Sequence, residues 1–207
     1  ESAKNQKEGT GIEEEENFTD IISDIIVNTD TETAAKVIEE INEIDTDTNL
    51  SLEVISGISE KDSEKLDTLS ENNKEQIETL TETAVQNAEN TAEDSQLIAN
   101  VVAVVNDELA NKVVEEVSKT STDEKQTLSA KVLKAIVDTE PDKMDIINDD
   151  VKDTMIEQTI EATKNQQESS DISSEADLTN IVAEIIVKTD AETAAKIIDE
   201  VNETETD

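Results

Sequence analysis

Residues 3–47 return as residues 163–207 without a gap, and 24 of the 45 aligned positions are identical. Inside that match "TDTETAAKVIEEIN" (29–42) reappears as "TDAETAAKIIDEVN" (189–202), with only conservative exchanges. The copied text includes connecting sequence, since Lys4, Asn5 and Gln6 fall on Lys164, Asn165 and Gln166. A unit copied together with its linker points to an array, in which each repeat buries its apolar face against its neighbours. Few other folds accommodate this pattern, so it is the strongest constraint the sequence sets.

A weaker period of half that length lies within it. A shift of 76 places Ile21, Ile25, Ala34, Lys36 and Val37 on Leu97, Val101, Ala110, Lys112 and Val113. A shift of 78 places "VISGISEKDSEKLD" (54–67) on "VLKAIVDTEPDKMD" (132–145). Each unit of about 80 residues then holds the opening hairpin, a second hairpin and a longer amphipathic segment. The expected organisation is a linker from a preceding repeat (1–16), unit one (17–88), a linker (89–95), unit two (96–164), a linker (165–176) and the start of unit three (177–207). Both ends fall within the repeat, so further copies are expected outside it.

The apolar spacing makes these segments helices. Ile21, Ile22, Ile25 and Ile26 share one helical face, as do Ala34, Val37, Ile38 and Ile41, whereas a half-buried strand would alternate. Thr29 followed by Glu32, and Thr189 followed by Glu192, have the form of a capping box, with the hydroxyl and the carboxylate each satisfying an orphan amide. Pro141 suits the first turn of a helix, which needs no amide donor there. With three Gly and one Pro in 207 residues, β-turns are scarce. The expected fold is all-α: helical hairpins stacked as an α-solenoid or superhelix.

Composition narrows the function. Phe18 is the only aromatic residue, so the core is aliphatic. The net charge is −38, all 16 basic residues are Lys, and there is no His or Cys. Such a chain repels phosphate and has neither Arg nor aromatic side chains to read or stack a base, which argues against nucleic acid as a partner. The longest apolar run, Val101–Val105, is far too short to span a bilayer, so no membrane insertion is expected. Without His or Cys there is no conventional catalytic triad, and no Gly-rich phosphate loop occurs. No enzyme is expected.

The string at Asp30–Ile41 and again at Asp190–Val201 resembles the short helical repeats of the N-terminal superhelical domain of MgtE-type magnesium channels. It is also similar to repeats in FliG-like flagellar-motor proteins. The resemblance implies a right-handed α-superhelix used for docking or regulation, and it covers about fourteen residues of each copy.

Two groups of residues invite a specific role. "DTDTNLSLEVIS" (45–56) sets Asp45, Asp47 and Asn49 at the alternate positions of an EF-hand-type loop, suited to Ca²⁺ or Mg²⁺. Leu50 stands where the turn wants Gly and Ser56 where the bidentate acid belongs, so an acidic linker is the plainer reading. Lys36, Lys112 and Lys196 recur in register, and pairing four residues back to Glu32, Glu108 and Glu192 would account for them. Together these features lead to a non-enzymatic structural repeat without a cofactor, self-associating with further copies as a stalk, adhesin-like array or filament, extracellular or at the cell surface. The alternatives are a cytoplasmic docking scaffold for a protein partner and a cation-responsive acidic module.

Overall fold

The fold was obtained as a computed structural model, which describes residues 15–45, 49–121, 127–168 and 178–204. Among these residues there are eleven α-helices, one 3-10 helix and no strand, so the chain is all-α as expected. The helices are α1 (Glu15–Asn28), α2 (Thr31–Ile44), α3 (Leu50–Lys61), α4 (Ser63–Asn72), α5 (Lys74–Asn87), α6 (Ala92–Val104), α7 (Asp107–Thr120), α8 (Leu128–Thr139), α9 (Asp149–Glu168), α10 (Leu178–Lys188) and α11 (Ala191–Thr204). Pro141–Asp145 forms the 3-10 helix with Pro141 in its first turn. The regions read as linkers are partly helical: α1 starts at Glu15, α6 at Ala92, and α9 runs to Glu168.

The helix starts differ from the expected capping box by one residue. Asp30, not Thr29, caps α2: its Oδ1 accepts the Thr33 amide at 2.9 Å and its Oδ2 the Thr33 hydroxyl at 3.0 Å. Asp190 caps α11 in the same way, accepting the Thr193 amide at 3.0 Å and the Glu192 amide at 2.7 Å. Thr29 and Thr189 instead turn back, donating to the Ile25 and Ile185 carbonyls at 2.8 and 2.9 Å. Glu32 therefore does not reach back to a cap; it pairs with Lys36 at 2.6 Å. A carboxylate outcompetes a hydroxyl for the orphan amides because it is charged and meets the positive end of the helix dipole. The Thr33 amide and hydroxyl accordingly hold the Asp30 carboxyl below its ordinary range.

Helix contacts follow a regular order. α1 packs on α3, α3 on α6, α6 on α8 and α8 on α10, making one row; α2 packs on α5, α5 on α7, α7 on α9 and α9 on α11, making a second. Across the rows α1 meets α2, α3 meets α5, α6 meets α7, α8 meets α9 and α10 meets α11. Five hairpins thus follow one another, with α4 and the 3-10 helix filling equivalent places between α3 and α5 and between α8 and α9. α1–α2, α6–α7 and α10–α11 are the three copies of the opening motif.

A single aliphatic core runs through this arrangement, carried by Ile26, Ile38, Leu52, Ile58, Leu80, Ile98, Leu133 and their neighbours. Each such side chain contributes about 1.5–3 kcal/mol on full burial. The α1–α3 approach is close at Gly57: a Cβ there would lie 2.5 Å from Ser23 Oγ. In the second unit the corresponding positions, Ala99 and Ala135, are again small and buried. No helix among the described residues is long and apolar enough to cross a membrane.

Candidate functional site

Two of the three candidate calcium ligands, Asp45 and Asn49, lie among the described residues. Asp45 is buried, and its Oδ2 accepts the Ser51 amide at 2.7 Å at the start of α3. Asn49 directs its Nδ2 at both carboxylate oxygens of Asp94, each at 3.2 Å, while its Oδ1 is buried without a hydrogen-bond partner. Asp47 lies outside the described residues. Asp94 is itself buried near the start of α6, and burial pushes its carboxyl above the ordinary range, with the Glu89 amide, Asn49 and Thr91 opposing. What the segment provides is a polar link from α3 to α6.

Such links recur along the chain, and together they form its most organised polar feature. Asn42 Nδ2 donates to the Gln76 carbonyl at 3.1 Å, and Gln158 Nε2 to the Ser118 carbonyl at 2.8 Å. The Lys65 ammonium caps the Thr29 carbonyl at 2.5 Å, and the Lys143 ammonium caps Val105 at 2.9 Å. These two carbonyls follow the C-terminal ends of α1 and α6, where the helix dipole favours a cation. The Ser51 amide is received by Asp45 Oδ2, and the equivalent Ser129 amide by the Ser121 hydroxyl at 2.9 Å. The Asn106 amide donates to Asp67 Oδ1 at 2.9 Å, and Lys131 to the Asn90 carbonyl at 2.5 Å. Most of these partners are separated by 34 to 45 residues, the spacing from one hairpin to the next.

The recurring lysines belong to the same system. Lys36 pairs within its own helix, with Glu32. Lys112 does not pair with Glu108; it bridges back to Glu82 of α5 at 3.5 Å and to Glu116 at 3.5 Å. Lys196 does not pair with Glu192; it reaches Asp153 of α9 at 3.0 Å, and that carboxylate raises its pKa. Glu108 is taken instead by Lys74 of α5 at 2.9 Å, which lowers the Glu108 carboxyl. The in-helix account holds for the first lysine, while the second and third tie their hairpins to the preceding one.

Several of these contacts escape a reading of the sequence by motif. Lys65 and Asp67 carried a signal, because the shift of 78 lays them on Lys143 and Asp145. Asn42 and Gln158 carried none, since an amide reaching a backbone carbonyl leaves no pattern of residue types. Chemically, the set joins each hairpin to the next through backbone caps and ion pairs. The chain was compared with family models, curated proteins and solved structures, and none matches it.

Proposed function

We propose that this chain is a non-enzymatic structural segment: a run of helical hairpins stacked as an α-solenoid, continuing into further copies to form an extended stalk, adhesin-like array or filament. The observation that carries this reading is the recurrence of equivalent bonds at alternate junctions, with Lys65 on Thr29 between the first and second hairpins matched by Lys143 on Val105 between the third and fourth. Nearest-neighbour contacts repeated in this way let an array grow without changing its cross-section. A docking scaffold would be favoured by an apolar strip along one face. Among the described residues the large exposed apolar side chains are instead Ile21 and Ile25 on α1, Val187 and Ile198 on α10 and α11, and Val104.

The test is to lengthen the protein by one 160-residue period, joining residues 1–162 to residues 3–207 so that the register is kept. Four added hairpins at about 8–10 Å each lengthen a rod by ~30–40 Å. Small-angle scattering should then show a radius of gyration larger by about 1.5-fold, with unchanged cross-section. A rise of only about 1.2-fold, the expectation for a compact globule of that length, would refute the array.

A further inference from the structure

Three copies of one hairpin stand in different surroundings, and their burial differs accordingly. Ile181 and Ile185 are buried on α10, which packs on α8, and Val101 is buried on α6, which packs on α3 and α8. Their counterparts on α1, Ile21 and Ile25, are 46% and 43% exposed. The same holds for charge: Lys112 and Lys196 bridge to the preceding hairpin, while Lys36 at the equivalent place pairs, among the described residues, with Glu32 of its own helix. The outer face of α1–α2 therefore carries the apolar residues and the cation that inner copies use to contact a preceding hairpin.

We propose that this face is a docking surface for the α8–α9 pair of another copy of the repeat, in the manner of the α8–α9 to α10–α11 junction within the chain. The shift of 160 fixes the correspondence: Ile21 takes the place of Ile181, Ile25 of Ile185 and Lys36 of Lys196, so Lys36 meets the partner copy's Asp153. The occupant is a hairpin of the second kind because, inside the chain, the outer faces of α6–α7 and α10–α11 meet α3–α5 and α8–α9 respectively. Both ends of this chain carry the first kind. Two such chains meeting end to end would form a junction unlike any within the structure. The inference rests on the reading of the chain as part of an array.

The absence of cysteine from the sequence makes the face easy to probe. Ile25→Cys is placed in the 207-residue chain, and in the lengthened chain either at its first occurrence or at its second, where an added α8–α9 pair precedes it. Val101→Cys in the 207-residue chain provides the standard for a covered site. Alkylation of Cys at the second occurrence should be at least tenfold slower than at the first and approach the Val101→Cys rate. Equal rates at both occurrences would overturn the proposal. So would a labelling rate in the 207-residue chain that falls as its concentration rises, because a second chain's α10–α11 would then be covering the face. Scattering on the same lengthened protein separates the two readings: an elongated particle with fast labelling refutes this junction and leaves the array standing.

Discussion

Ile38 and Ile198 are the same residue at the same place in the repeat, yet Ile38 is fully buried on α2 while Ile198 on α11 is 46% exposed. Truncation to alanine removes three carbons from each. At about 0.8 kcal/mol per buried methylene, Ile38→Ala loses about 2.4 kcal/mol of transfer energy. The cavity left in a closed core brings the total to about 3.5 kcal/mol, within the range of ~2–5 for buried Ile to Ala. Ile198→Ala loses about half of the transfer term, roughly 1.2 kcal/mol, and opens no closed cavity. The expected gap of about 2 kcal/mol is a factor of roughly 30 in the unfolding equilibrium. Urea unfolding of the two variants, followed by far-ultraviolet circular dichroism, measures it. Equal losses would mean that Ile198 is covered in solution and that the two copies do not stand in unequal surroundings.

Three further substitutions test local features. Gly57→Ala should destabilise by about 1–3 kcal/mol despite alanine's better helix propensity, because the new Cβ meets Ser23 Oγ at 2.5 Å; adding Ser23→Ala should recover part of the loss, and no loss would show that the α1–α3 approach is slack. Asp30→Ala should lower the urea midpoint more than Thr29→Ala, since the carboxylate is the cap. That difference should shrink in acid, because a carboxyl held low in the folded state contributes stability above its unfolded pKa, lost as pH falls through the folded one. Asp94→Asn should raise the melting temperature at pH 7. The Asp94 carboxyl is pushed up by burial, so its penalty is present above its folded pKa and gone below its unfolded one; a variant less stable than the parent at pH 7 would contradict this.

The helices and their order could be read from apolar spacing because that signal is carried by many residues at once. Ile21, Ile22, Ile25 and Ile26 need no partner to be known before they specify a helical face. Junction chemistry could be read only where the repeat itself supplied a second copy, as for Lys65 and Lys143. The caps are not legible in the text because "TDTET" offers both a hydroxyl and a carboxylate, and the choice between them depends on backbone geometry at Asp30. The roles of Lys112 and Lys196 depend on which helix lies behind them, Glu82 on α5 or Asp153 on α9, and an in-helix pairing rule carries no information about that. Asp45 and Asn49 form a cation-loop pattern in text, which carries no sign of what the fold adds: Asp45 receives the Ser51 amide at a helix start and Asn49 donates to Asp94.

The charge distribution gives the junctions a definite response to salt. With 54 acidic groups against 16 lysines, most carboxylates have no cation, and hairpins spaced at about 10 Å repel one another over roughly one Debye length at physiological ionic strength. The lysines are concentrated where they offset this. Lys61 reaches back from α3 to Asp20 and Asp24, Lys74 forward to Glu108, Lys112 to Glu82, Lys134 to Glu184, Lys188 to Asp138 and Lys196 to Asp153. Lys65, Lys131 and Lys143 cap carbonyls of the preceding hairpin instead. Direct contacts at 2.5 to 3.5 Å are screened less than diffuse repulsion across a junction, and exposed pairs contribute little in any case. Raising NaCl from 10 to 150 mM should therefore raise the melting temperature, because it relieves more repulsion than attraction. A fall over that range would show that the lysine contacts dominate the junctions, and uncharged links such as Asn42 to Gln76 and Gln158 to Ser118 would then be the lesser part of what holds successive hairpins together.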